Sequence, residues 1–185
     1  MTIRERIDRW RHDFGYGVHS PLGFRIVREV LNPSRGYAFY GYDRLEALAS
    51  SQKDPNSERR ARMLLRLGAQ TQPSIVWHSE ELPKIYREAL KLAGGIVRIL
   101  DGSIFPDDIP KAEMIIFYRS IPEEIGKLVG RPDKTIVALD IGEERVREIA
   151  SMVREGIAFD AVDSALIITG SGISPIVYPV SKSKI

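Results

Sequence analysis

Apolar positions in the first 72 residues recur at helical spacing. Ile3, Ile7, Trp10 and Phe14 share one face and predict a first helix that turns them inward. Gly15 and Gly17 interrupt the pattern. Ser20-Pro21 restarts it, with Ser20 as N-cap and Pro21 at the first helical position. Phe24, Val27, Val30 and Leu31 carry this helix to Asn32-Pro33. An aromatic stretch, Tyr37, Phe39, Tyr40 and Tyr42, leads into a short helix from Asp43 to Ser51 and a turn at Lys53-Asp54-Pro55-Asn56. Ser57 to Leu67 reads as a helix with Ala61, Leu64 and Leu65 inward and Arg59, Arg62 and Arg66 on the other side. Gly68 is its expected stop.

From Pro73 the period changes. Short apolar runs predict strands at Ile75–Trp77, Ile96–Leu100, Met114–Tyr118 and Thr135–Leu139. Amphipathic helices are expected between them at Glu81–Ala93 and Pro122–Val129. After the fourth strand, Val146, Ile149, Ala150 and Val153 predict a helix closed by Gly156. Ala165–Ile168 and Ile176–Tyr178 then read as a hairpin across Thr169-Gly170-Ser171-Gly172, with Pro179 just past its second strand. Strands alternating with helices predict an α/β protein with parallel crossovers. We expect a single domain, 1–185, with a helical segment at 1–72 and a sheet region at 73–185. Ile3, Ile7, Trp10, Phe14, Phe24 and Val27 are too large and apolar to leave in water. The helical segment is therefore expected to pack on the sheet region, or to place part of this surface in a homodimer contact.

Composition narrows the function classes. A 43% hydrophobic and 28% charged chain is an ordinary globular one. No apolar run approaches the length of a membrane span, and the N-terminus lacks a secretory h-region. No membrane association is expected, and a cytoplasmic location fits. The absence of cysteine excludes disulfides, thiolate metal sites and thiol nucleophiles. The net charge of +2 divides into +5 over residues 1–72 and −3 over residues 73–185. A basic segment can mean nucleic acid or an anionic partner, but acids interspersed among the arginines favour a solvated helical face, leaving nucleic-acid binding through the N-terminal helices as the weaker alternative.

The order of parallel units closed by an antiparallel hairpin resembles that of Rossmann-like S-adenosylmethionine-dependent methyltransferases. Arg11-His12-Asp13-Phe14-Gly15-Tyr16-Gly17-Val18-His19-Ser20-Pro21 is similar to the GxGxHSP opening of a bacterial class I methyltransferase-like family, and Tyr37-Ala38-Phe39-Tyr40 to its tyrosine-rich stretch. The resemblance implies a glycine-rich loop after the first strand, where backbone would approach the cofactor. This chain has Val76-Trp77-His78-Ser79-Glu80-Glu81-Leu82-Pro83 there, without a glycine and with Trp77 in place of an acid. Glu80 and Glu81 suit helix capping, not a cofactor carboxylate. The family also implies a third strand and its helices between Asp101 and Met114, where only about a dozen residues remain, roughly one crossover's worth. The expected sheet thus shrinks to six strands, 2-1-4-5-7-6 in the family's numbering.

Candidate site residues follow from this frame. Asp101 and Gly102 stand where the resemblance implies binding of the cofactor ribose; the alternative is a polar strand end before a turn. Asp140-Ile141 matches an acid at the end of the fourth strand, while Tyr118 stands where related enzymes carry an Asp. One such acid makes no metal site, and none is expected. His19 either fixes its turn by a hydrogen bond or takes part in catalysis. His78 ends a strand, where ligands of open α/β sheets gather. Tyr37, Tyr40 and Tyr42 with Arg35 and Arg44 either stack bases or close the core. The expectation is a degenerate methyltransferase-like fold that has lost S-adenosylmethionine and needs no cofactor, acting in binding or assembly with a partner the sequence does not name. The rival is an active S-adenosylmethionine-dependent methyltransferase with an atypical site.

Overall fold

The computed structural model describes residues 2–33, 40–50, 54–79, 81–95, 98–102, 111–123 and 125–185. Helices α1 (Ile3–Asp13) and α2 (Pro21–Ile26), a π-helical turn (Val27–Leu31), α3 (Tyr42–Ala49) and α4 (Ser57–Thr71) precede the sheet. Then follow β1 (Ile75–His78), α5 (Lys84–Leu92), β2 (Arg98–Leu100), β3 (Met114–Tyr118), α6 (Ile125–Val129) and β4 (Thr135–Leu139). The chain finishes with α7 (Glu143–Ser151), β5 (Gly156–Asp160), β6 (Ala165–Thr169), β7 (Ile176–Pro179) and a 3-10 turn at Lys182–Lys184.

The strands form one mixed sheet in the order β2-β1-β3-β4-β6-β5-β7. β2, β1, β3 and β4 pair in parallel, β6 lies antiparallel between β4 and β5, and β7 pairs parallel with β5. Alternate side chains enter two cores. Val76, Ile116, Val137, Phe159 and Leu166 meet the π turn and helices α2 to α5. Ile115, Phe117, Ile136, Ala158 and Ile167 meet α6 and α7. Burial on both faces explains why β3, β4 and β6 read as unbroken apolar runs.

Among the described residues, seven strands in this order replace the six expected. Gly156 does not close α7, which ends at Ser151, but opens β5. At φ +139° its place is glycine's: a Cβ there would sit 2.3 Å from the Ile168 carbonyl oxygen. The hairpin therefore joins β5 to β6 through Ala161–Ser164, not β6 to β7. Pro179 is the last residue of an edge strand, where its missing N–H disrupts nothing. Helix α4 runs past Gly68 to Thr71. Helix α5 starts at Lys84 with Pro83 at the N-cap, so Glu81 does not cap it. The aromatic residues 37 and 39, Glu80, residues 96–97 and the 103–110 connection lie outside the described residues.

The largest correction concerns α1. Its apolar face points outward: Ile3 is 78% exposed, Ile7 51%, Trp10 57% and Phe14 42%, and Phe24 of α2 is also exposed. Val27, Val30 and Leu31 are buried as expected. The opposite face of α1 docks on the β7 end of the sheet through polar groups. Arg9 Nη1 donates to the carbonyls of Asp160 (2.5 Å) and Val180 (2.7 Å), and its guanidinium pairs with the Asp160 carboxylate at 3.3 Å. His12 Nδ1 donates to the Pro179 carbonyl at 3.0 Å, and Asp13 accepts from Ser181 N–H at 2.9 Å. Unpaired backbone groups at a sheet edge demand polar partners, and α1 supplies them.

Candidate site at the carboxyl ends of the parallel strands

Open α/β sheets bind ligands outside the carboxyl ends of their parallel strands. Here that edge carries His78 and Ser79 at the end of β1, Asp101 and Gly102 after β2, Tyr118 and Arg119 at the end of β3, and Asp140 after β4. Arg119 and Asp140 both turn through left-handed backbone, at φ +64° and +56°. Side chains close the β1–α5 connection. His78 and Leu82 are buried, and Ser79 Oγ accepts from Tyr118 N–H at 3.0 Å, locking β1 to β3. Trp77 projects to the opposite face, against Phe117 in the second core.

His78 donates from Nδ1 to the Ser79 carbonyl at 2.9 Å. Burial lowers its pKa below the ordinary histidine value, with Arg87 acting the same way, while the Ser79 hydrogen bond and Asp101 act in the opposite sense. Asp101, at the exposed end of the neighbouring strand, is thus close enough to act on His78. A histidine held neutral on folding takes its proton more readily when unfolded. Stability should therefore fall as pH drops below about 6.5, the unfolded histidine value. Thermal melts from pH 7.5 to 5 should show a steeper decline for the parent than for His78→Gln; parallel declines would remove His78 as the source.

The densest polar cluster centres on Arg60, which the sequence reading passed over. Arg60 is 3% exposed. Its Nη1 lies 2.8 Å from Asp140 and 3.4 Å from Asp54, its Nη2 3.7 Å from Asp163 and 3.5 Å from Ser164 Oγ, and its Nε donates to the Ile185 carbonyl at 3.2 Å. Lys182 adds a second cation, 2.7 Å from Asp163. Burial alone disfavours the guanidinium charge, but Asp140, Tyr86 and Asp163 together outweigh it and raise the Arg60 pKa. Burial also raises the pKa of Tyr86, so its hydroxyl stays protonated beside Arg60. Asp140 therefore closes an internal ion cluster. Three carboxylates converge on a guanidinium, and no group of three or more His, Asp or Glu among the described residues is arranged to hold a metal ion.

His19 does not join this edge. Its side chain is exposed, and Ser20 beside it reaches the Tyr178 hydroxyl of β7 through its backbone N–H at 3.4 Å. Five strand spacings separate β1 from β7, roughly 24 Å. Ser20 does cap α2, accepting from Gly23 N–H at 3.2 Å. The arginines of α4 do not gather into a basic patch. Arg62 pairs with Glu46 and Glu58 and lies over the Tyr42 ring at 4.6 Å; Arg66, buried, donates to the Val30 carbonyl and the Tyr42 hydroxyl. Tyr42 thus serves packing, while Tyr40 is exposed. Helical phase carried one missed signal: Arg60, Leu64 and Leu67 stand at i, i+4 and i+7, the inward face.

These features define an α/β protein with a Rossmann-like mixed sheet. No protein-family model and no curated protein matches the chain. No described helix is long and apolar enough to cross a membrane.

Proposed function

We propose that the chain is a methyltransferase-like fold that has lost S-adenosylmethionine binding and acts in binding or assembly. The side-chain-filled turn after β1 carries this reading. Leu82 is 1% exposed and His78 2% exposed, and Ser79 Oγ is committed to the β3 backbone. A cofactor's methionine portion would need the glycine-free space these side chains take up. Asp140 is turned to Arg60, which leaves Asp101 as the acid for a ribose. One charge-assisted hydrogen bond contributes about 1.5–3 kcal/mol, whereas micromolar binding requires about 8 kcal/mol.

The placement of Asp101 beside His78 favours the second reading, an active methyltransferase with an atypical site. Calorimetric titration with S-adenosylmethionine and S-adenosylhomocysteine decides between them. We expect no saturable heat up to about 1 mM ligand, equivalent to binding weaker than roughly 4 kcal/mol. A micromolar dissociation constant abolished by Asp101→Ala would restore the enzyme.

A further inference from the structure

The outward face of α1 has the geometry of a helix-pairing seam. Ile3, Ile7, Trp10 and Phe14 are spaced 4-3-4, the alternation of a and d positions in a heptad. At 100° per residue they fall within an arc of about 60°. Such a stripe is narrower than the face a helix presents to a protein core, and narrower than an interfacial membrane helix requires; it is the width of a coiled-coil seam. The rings of Trp10 and Phe14 lie 5.4 Å apart, and exposed Phe24 packs over Gly15 at the seam's end.

The charges beside the seam have one sign. Arg6 borders it on one side, Arg4 and Arg11 on the other, and all three are exposed. The acids of α1 turn elsewhere. Glu5 closes a capping box with Thr2, and with Asp8 it lines a cleft shared with Glu143, Arg147 and Asp160. Asp13 is buried on Ser181. Pairing two copies of this face would set arginine against arginine, and like charges flanking a seam oppose association.

We propose that the outer face of α1 docks an acidic amphipathic helix of another protein, with apolar a and d positions and Glu or Asp at e and g. This gives the binding reading a partner class but does not depend on cofactor loss, because the S-adenosylmethionine titration is a separate measurement. The test uses two labelled three-heptad helical peptides with Leu at a and d. One carries Glu at e and g, the other Lys, and binding is followed by fluorescence anisotropy. The Glu peptide should bind at least about tenfold more tightly, as expected where flanking charges choose the partner. Raising salt from 50 to 300 mM should weaken it by about threefold or more. Trp10→Ala should abolish binding, and the double variant Arg6→Glu, Arg11→Glu should reverse the preference. Both variants alter exposed side chains only, so unchanged melting establishes that they fold. Equal binding of the two peptides, or of neither, overturns the proposal. So does a dimer in sedimentation that Trp10→Ala dissociates, which assigns the seam to a second copy. Recruitment to phosphatidylglycerol vesicles, lost in Trp10→Ala, would assign it to a lipid surface and equally overturn it.

Discussion

Arg60→Met is expected to lower the free energy of unfolding by about 3 kcal/mol, the low end of the penalty for breaking a buried ion cluster. The substitution preserves much of the side chain's volume but strands Asp140 and the Ile185 carbonyl and leaves Asp163 to Lys182 alone. The low end applies because the Asp140 and Asp163 side chains remain 28% and 17% exposed, so water screens part of the loss. Arg60→Lys should recover less than half, since an ammonium cannot reach the carboxylates, Ser164 and the Ile185 carbonyl together. Urea denaturation of the three proteins measures this. A loss below about 1 kcal/mol would put the cluster in the class of solvated surface pairs.

The second large effect is expected at Arg9. Arg9→Ala should cost about 3 kcal/mol, because the Asp160 carboxylate loses its cation and the Val180 carbonyl loses its donor, while the Asp160 carbonyl keeps the Val180 N–H. Asp160 also accepts from Val162 N–H at 2.9 Å, holding that residue at φ +75°, a conformation β-branched side chains rarely adopt. The same hairpin presents Asp163 and Ser164 to Arg60. The two arginines are therefore connected through one strained turn. A double-mutant cycle between Arg9→Ala and Arg60→Met should give a coupling above about 0.5 kcal/mol. Additive losses would mean that the turn holds its shape without Arg9.

Much of the sheet was legible because buried parallel strands are written as unbroken apolar runs, as in Met114–Tyr118 and Thr135–Leu139. β5 was missed because Gly156 serves two grammars: it is an ordinary helix stop and also the one residue this strand start admits. The orientation of α1 was misread for a different reason. Periodicity reports which face is apolar, not which face docks, and here edge carbonyls recruited Arg9, His12 and Asp13 instead. The candidate residues fared unevenly. His78 and Asp101 were placed at the carboxyl edge by strand position alone. Asp140 was placed there too, yet its partner Arg60 lies about 80 residues earlier, a distance along the chain that no local motif spans.

The docking of α1 on β7 also bears on how the sheet is kept from growing. A terminal strand offers free carbonyls and amides to any extended segment it meets, and this is how sheets grow into aggregates. Here Pro179 has no amide to offer, and the carbonyls of Pro179 and Val180 are already taken by His12 and Arg9. The amide of Ser181 is taken by Asp13. Helix α1 thus acts as a stopper at the carboxyl end of that border of the sheet, filling with side chains the bonding places that another molecule's backbone would occupy there. At the far border, β2 carries the exposed Arg98, so charge guards that side.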